Sequence, residues 1–194
     1  FMAALNFFSR LTYENILPAM LLARNGGGAA AYAAVSAVLG LGGILGGVLV
    51  SSVKLSRDAG RVIFISAAVS FAFGDILMGA GQCLALWCVA GLAASLPLPF
   101  ITAAQRTLLY ETVPRHMQGR IFAVRNAVQY SLIPAAILLG GILADDVFEP
   151  FMAGGSAAAG FLSRIVGVGA GSGMAVMFLI TGTLGTLGSL VGMR

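Results

Sequence analysis

Apolar residues form six long runs along the chain, each bounded by polar residues or by glycine. The runs cover roughly residues 3–23, 29–51, 62–81, 83–104, 120–143 and 172–193. A membrane-crossing helix needs about 20 consecutive, mostly apolar residues. Strands of a membrane barrel would alternate apolar and polar side chains, and these runs do not alternate. The pattern therefore predicts an all-α membrane protein, a six-transmembrane-helix bundle that forms one domain over residues 1–194.

The composition agrees with a membrane protein. Hydrophobic residues make up 59% of the chain and charged residues only 9%, whereas ordinary soluble domains carry about 25% charged residues. The net charge of +4 is also typical of nucleic-acid-binding proteins, but here the cations lie between apolar runs and form no basic helix. We therefore expect a lipid bilayer as a partner, and no nucleic acid.

The chain has only two cysteines and one histidine, the side chains that supply sulfur and imidazole ligands to metals. Cys83 and Cys88 are five residues apart in an apolar run, and His116 is distant from both. This spacing points the two cysteines in different directions on a helix and forms no Cys/His cluster. We expect small, apolar-like cysteines, no metal site and no cofactor.

Two segments resemble catalytic motifs without completing them. Gly74-Asp75 is similar to the intramembrane aspartyl protease motif GxGD, but Ala72 replaces the first glycine and no second aspartate pairs with it. The segment "AGSG" at 170–173 is similar to the rhomboid serine motif, but its only histidine partner, His116, is predicted to lie at the opposite membrane face. We expect no catalytic residue, and we expect that the protein is not an enzyme.

The cations predict the orientation of the chain. Six crossings place both termini and the even-numbered loops on one side of the bilayer. That side carries eight of the 11 cations, namely Lys54, Arg57, Arg61, Arg106, Arg115, Arg120, Arg125 and Arg194. The other side has only Arg24 and Arg164, and Arg10 lies within the first run. Because cytoplasmic loops are enriched in Lys and Arg, we expect a multi-pass protein of the plasma or inner membrane with both ends of the chain in the cytoplasm.

Small residues in the second run indicate close helix packing. The stretch "VSAVLGLGGILGGVLVS" repeats glycine and serine at four-residue intervals, which lets helix backbones approach each other. The glycines of the last run, Gly182, Gly185, Gly188 and Gly192, predict the same for that helix.

A polar stripe runs along the first helix. Its members recur at steps of three and four residues: Asn6, Ser9, Arg10, Tyr13 and Glu14. Such a stripe is expected to face a polar cavity or a polar helix, because charged side chains are costly in hydrocarbon. Arg10 and Glu14 either neutralise each other as a structural pair, or Glu14 exchanges a proton and Arg10 binds an anionic group during transport.

Asp75 is a second acid within an apolar run, about one turn from the outer end of the third helix. It is either a proton carrier or a cap for the tight hairpin that follows, and the sequence favours the cap.

The stretch "VPRHMQGRIFAVRNAVQYSLIPAAILLGGILADDVFEPFM", residues 113–152, resembles the region around the eleventh helix of major facilitator superfamily exporters. The closest branch is the macrolide-efflux-like and siderophore-exporter-like group. The likeness is carried by "QGR-F" at the start of the helix, "SLIP" within it and "G-LAD-VFEPFM" at its end. The segment "VGVGAGSGMAVMFLITGTLG" is also similar, although Ser172 stands where that branch usually has an arginine. A looser likeness covers nearly the whole chain.

This resemblance implies that the chain is the C-terminal half, helices seven to twelve, of a twelve-helix transporter whose N-terminal six-helix half is missing. It implies a proton-coupled efflux antiporter for small hydrophobic or amphipathic substrates, of the drug or macrolide type or siderophores. Transport would proceed by alternating access, with substrate bound between the halves. Helices seven and ten of that fold line the central cavity, which suits the polar stripe. Helix nine, which would contain Asp75, is peripheral.

The resemblance also implies a cytoplasmic gate. The segment "SSVKLSRDAGR" lies where the family repeats a gating motif, although the glycine and aspartate spacing is not kept. The charged residues that remain there are Lys54, Arg57, Asp58 and Arg61. The next cytoplasmic loop and helix carry Arg115, Arg120 and Arg125, which either set topology at the lipid headgroups or pair with acids of the other half.

A second function from a different class fits the same six runs. The chain could be a non-transporting membrane module, either a gene fragment or an assembly subunit that only binds partner helices, or it could be a homodimeric half-transporter. A reading frame for six further spans directly upstream would favour the exporter.

Overall fold

The computed structural model describes residues 2–53 and 58–193, with the backbone alone for residues 2–5. All regular secondary structure in these ranges is helical. Helix α1 comprises Met2–Arg10, the π-helical segment Leu11–Ile16 and Leu17–Arg24. Helix α2 is Ala30–Ser52, and α3 comprises Ala59–Val69, the π-helical segment Ser70–Asp75 and Ile76–Ala80.

The second part of the chain adds four more helices. Helix α4 comprises Leu84–Ser95 and Leu98–Thr112. Helix α5 begins with the 3-10 turn Arg115–Met117 and continues through Gln118–Ile142, the π-helical segment Leu143–Phe148 and Glu149–Ala153. Helix α6 is Ala157–Val166 and α7 is Ser172–Gly192.

Five helices are long and apolar enough to cross a membrane: α2, α3, α4, α5 and α7. Helix α1 is continuous from Met2 to Arg24, but its polar stripe keeps it out of this set. The prediction of an all-helical fold is confirmed for the described residues, and these five helices have the length and composition to span a membrane. The sixth crossing, and hence the six-helix half of a transporter, stays a prediction.

Large apolar side chains cover the outside of the bundle. Ile44, Val124, Leu138 and Val191 are each more than 60% exposed, and many others on the same helices are also exposed. In water such a surface would be an aggregation liability. These helices are compatible with a multi-pass membrane protein, in which this surface contacts lipid tails.

The main core lies where α1 packs against its neighbours. Ile16, Leu17 and Met20 of α1 are almost fully buried, together with Met78 of α3 and Phe178 of α7. Helix α7 packs along α3 and also contacts α1 and the end of α5. The core therefore joins the first helix of the chain to the last.

Helix α5 is much longer than the sequence predicts. The predicted apolar run ends at residue 143, and Asp145, Asp146 and Glu149 follow it in the chain. The helix instead continues to Ala153, and α6 follows at once. Asp145 and Asp146 are exposed on this helix, and Glu149 accepts a hydrogen bond from the Met174 backbone. The helix ends just before Gly155, whose φ is 63°.

Helix α4 is also longer than expected, and it is interrupted. Its predicted end is residue 104, but it runs to Thr112. A turn at Leu96 and Pro97 breaks the helix in two, because proline cannot donate the backbone hydrogen bond that a continuous helix requires. The interruption lies beside the cavity described below.

Candidate functional site

A polar cavity of about 840 Å³ lies between the helices. Its wall combines polar and apolar side chains from α1, α2, α3, α4 and α5. The chemically distinctive lining residues are Asn6, Ser9, Arg10, Tyr13, Glu14, Asp75, Gln105, Arg106, Arg125, Asn126 and Gln129. The five residues of the α1 stripe therefore line one cavity, and Asp75 of α3 joins them.

The Arg10 guanidinium donates a hydrogen bond to the Glu14 carboxylate, and the two side chains form an ion pair. The side chains are 39% and 43% exposed, respectively. The structural pair anticipated from the four-residue spacing is thus formed at the cavity wall. A role of either residue in proton or anion binding stays a hypothesis.

The π-helical segment of α1 is held against α5. The Asn15 side chain donates from Nδ2 to the backbone oxygen of Ile137 over 3.2 Å. Gly140 and Gly141 make room for this contact, since a Cβ on Gly140 would lie 2.9 Å from the Leu11 oxygen. Tyr13 and Glu14 lie within the segment that is fixed in this way.

Asp75 ends the π-helical segment of α3 and is only 1% exposed. Its carboxyl group lies beside the hydroxyl groups of Tyr13 and Thr181. Helix α7 approaches closely here because Gly182 has no side chain, and a Cβ at that position would lie 3.0 Å from the Asp75 Cβ. Asp75 is therefore enclosed between α1, α3 and α7.

Neither Asp75 Oδ2 nor the Tyr13 hydroxyl has a partner in hydrogen-bonding geometry among the residues described, although the two groups are neighbours. The Tyr13 ring is held by an edge-to-face contact with Phe178, with centroids 5.4 Å apart. Thr181 Oγ1 donates to its own helix, to Met177 O at 3.0 Å. Two buried polar atoms at the cavity wall thus remain unsatisfied, which is uncommon in folded proteins.

The sequence favoured Asp75 as a cap of the hairpin between α3 and α4, but the neighbours of its carboxyl group are Tyr13 of α1 and Thr181 of α7. The hairpin is held instead at the Gly81 carbonyl, which accepts hydrogen bonds from Arg24 Nη1 at 2.8 Å and from Trp87 Nε1 at 3.0 Å. The sequence pattern could not reveal this, because Arg24 belongs to a distant helix.

The other end of the cavity is basic. Arg125 of α5 donates a hydrogen bond to the Gln105 Oε1 atom of α4, and Arg106 lies next to Gln105 in the chain. Within the described part of the chain, neither arginine forms an ion pair. Arg115 and Arg120 are exposed at the start of α5 and do not line the cavity.

The predicted gate residues divide between described and undescribed parts of the chain. Lys54 and Arg57 lie outside the described residues. Asp58 caps α3 by accepting a hydrogen bond from the Arg61 backbone at 3.2 Å, and its Oδ2 lies 3.0 Å from Arg61 Nε. These contacts are local to one helix end, and the gating role stays a hypothesis.

Sequence reasoning missed a network at the end of the bundle that contains the hairpin between α3 and α4. Arg24 was counted only for its charge, yet its Nη2 also donates to the Val166 oxygen at 2.6 Å. Glu149 Oε1 accepts a hydrogen bond from the Met174 backbone at 3.1 Å, at the start of α7. The available signal was a lone cation and a lone acid at the ends of apolar helices.

In residues 2–53 and 58–193, no group of three or more His, Cys, Asp or Glu side chains is placed to hold a metal ion. His116 lies at the start of α5, whereas Ser172 lies beside the residues that contact the other end of that helix.

The chain matches no protein-family model, and searches against curated proteins and against solved structures likewise find no match. The likeness to major facilitator superfamily exporters therefore depends on the quoted sequence stretches alone. The cavity is therefore the structural feature that bears on the function of the protein.

Proposed function

We propose that this chain is the C-terminal six-helix half of a proton-coupled exporter of small hydrophobic or amphipathic compounds. The observation that carries the proposal is the cavity of about 840 Å³ lined by charged, amide and aromatic side chains within a bundle of apolar helices. Sites for small molecules typically measure about 300–1,000 Å³ and combine apolar walls with a few polar groups.

The distribution of charge along the cavity supports transport over a purely structural role. Charged residues inside a membrane are costly and usually mark a substrate or ion pathway. Arg10 with Glu14, Arg106 and Arg125 come from three different helices, and all line the same cavity. A module that only bound partner helices would have no need for this arrangement in the interior of the bundle.

The substrate would bind between this half and an N-terminal six-helix half, and the halves would move relative to each other to open alternate sides. The resemblance of residues 113–152 to exporters supplies the direction of transport and the proton as coupling ion. Both ends of this segment would be cytoplasmic in the plasma or inner membrane.

Efflux from reconstituted vesicles tests the proposal. The full-length protein is placed in liposomes loaded with radiolabelled erythromycin, and release is followed with and without an imposed proton gradient. We expect release that requires the protein and collapses when an uncoupler is added. Release that is unaffected by the uncoupler would contradict proton coupling. No release under either condition, for erythromycin and for a catecholate siderophore, would favour the non-transporting module.

A further inference from the structure

Asp75 is the only buried charged-type side chain among the residues that the structure describes. The described ion pairs are Arg10 with Glu14 and Arg61 with Asp58, so Asp75 belongs to neither. A carboxylate buried without a cation is strongly disfavoured, and the group avoids this cost by holding a proton. Glu14 differs in both respects, because it is 43% exposed and paired with an arginine.

The surroundings of Asp75 contain groups that can stabilise its negatively charged form. The Tyr13 hydroxyl and Asp75 Oδ2 are neighbours, both are buried, and both lack a hydrogen-bonding partner in the described chain. A hydroxyl can donate to a carboxylate, and hydrogen bonds to charged groups are stronger than those between neutral groups. The same two residues line the polar cavity, which connects them to the Arg10–Glu14 pair.

We propose that Asp75 is the proton-binding site of this protein and that Tyr13 is the positioning residue that holds its carboxylate. On release, the O–H bond of the Asp75 carboxyl group breaks, and the proton passes to water in the cavity. The electron pair stays on the carboxylate, which then accepts a hydrogen bond from the Tyr13 hydroxyl. The coupling of this step to export depends on the proposed function, whereas the protonation of Asp75 does not.

Few other titratable groups on the neighbouring helices could bind the proton in place of Asp75. Helix α7 has no titratable side chain between Ser172 and Gly192, and its nearest polar group is Thr181. The packed part of α4, Leu84–Ser95, contains only the half-buried Cys88. Helix α1 contributes Tyr13 and, farther along the cavity, the Arg10–Glu14 pair. Asp75 is therefore the one buried carboxyl group on this side of the cavity.

Infrared spectroscopy of the full chain in lipid tests the proton site without any transport assay. At neutral pH we expect a carboxylic-acid carbonyl band that shifts when the protein is labelled with ¹³C-aspartate. The other aspartates, Asp58, Asp145 and Asp146, are exposed, whereas Asp75 is buried. The band should be lost in Asp75→Asn and retained in the matched variant Glu14→Gln. Isotope labelling needs no substitution, so a variant that fails to fold does not remove the test.

Several results would overturn the proposal. One is the absence of an isotope-sensitive acid band at neutral pH, and another is its persistence in a folded Asp75→Asn protein. Loss of the band on addition of sodium would mean that a metal ion replaces the proton. For Tyr13→Phe, which keeps the ring on Phe178, we expect the band to change frequency, because the carboxyl group loses its neighbouring hydroxyl. An unchanged frequency would remove Tyr13 from the site.

A transport assay then distinguishes proton coupling from the movement of the substrate. In Asp75→Asn vesicles we expect erythromycin exchange at equal concentrations to continue, while accumulation driven by a proton gradient is lost. Gradient-driven accumulation at the wild-type level would overturn the coupling role. If the wild-type protein shows neither activity, the proposed function fails for this compound, and the infrared result still decides whether Asp75 is the proton site.

Discussion

Two acids line the same cavity, and their neighbours give them different properties. Glu14 is half-exposed and accepts a hydrogen bond from Arg10, so its charge is compensated where it stands. Asp75 is buried next to hydroxyl groups and has no cation beside it. Because the free energy of a buried charge depends mainly on its partners, the residue type alone does not decide which acid exchanges a proton.

Replacing Glu14 by glutamine tests the function of the ion pair. Glu14→Gln leaves the Arg10 charge at the cavity wall without its partner, and we expect weaker gradient-driven export with normal membrane insertion. Because the pair is partly exposed, the free energy of unfolding should change by less than about 1 kcal/mol. Export rates and thermal unfolding of the purified protein measure the two effects.

The double variant Arg10→Gln with Glu14→Gln is the matched control, since it removes both charges together. We expect it to restore part of the export that Glu14→Gln loses. Wild-type export in Glu14→Gln itself would show that the pair has only a structural role.

The helices place the site through their irregular segments. A π-helical turn carries one more residue than an α-helical turn and therefore rotates the side chains that follow it. Tyr13 and Glu14 lie within such a segment in α1, and Asp75 lies at the end of another in α3. The interrupted helix α4 packs against this segment of α3 and also lines the cavity. Local departures from α-helical geometry thus coincide with the polar residues of the cavity.

Helix α2 packs against its neighbour through the glycines on one of its faces. Gly42 and Gly46 face α4, where a Cβ on Gly46 would overlap the Leu96 carbonyl oxygen, while a Cβ on Gly47 would meet nothing within 4 Å. We expect Gly46→Ala to lower the free energy of unfolding by about 1–3 kcal/mol, as overpacking does.

Gly47→Ala is the matched control in the same helix and should leave the stability unchanged or slightly higher. Thermal unfolding in one detergent compares the two variants. Equal midpoints would contradict the packing of α2 on α4 through Gly46.

The orientation of the protein in the membrane can be tested by labelling one of its own cysteines. Cys83 is exposed in the hairpin between α3 and α4, which is predicted to lie outside the cell. In a Cys88→Ser background, we expect a membrane-impermeant maleimide to label Cys83 in intact cells. Arg120→Cys, in a background that also lacks Cys83, should react only after the cells are permeabilised.

The opposite labelling pattern would reverse the orientation inferred from the cations. Labelling of both positions from outside would mean that α4 does not cross the membrane, and the six-helix arrangement would then have to be abandoned.

The sequence by itself determined the helical class, the apolar runs that form α2, α3, α4, α5 and α7, and the polar stripe of α1. These are local properties, because hydrophobicity and the spacing of polar residues act within a single helix. It did not reveal that α5 extends through Asp145 and Asp146 to Ala153, because an apolar run can end where its helix does not.

Only the tertiary structure decided which polar groups of different helices meet. Asp75 of α3 lies beside Tyr13 of α1, 62 positions apart in the chain, because Gly182 lets α7 pack closely against α3 and Phe178 holds the tyrosine ring. Arg24 likewise donates hydrogen bonds to the backbone oxygens of Gly81 and Val166, which are distant from it and from each other in the chain. Such contacts depend on how helices rotate and pack against each other, and the pattern within one helix contains no information about either.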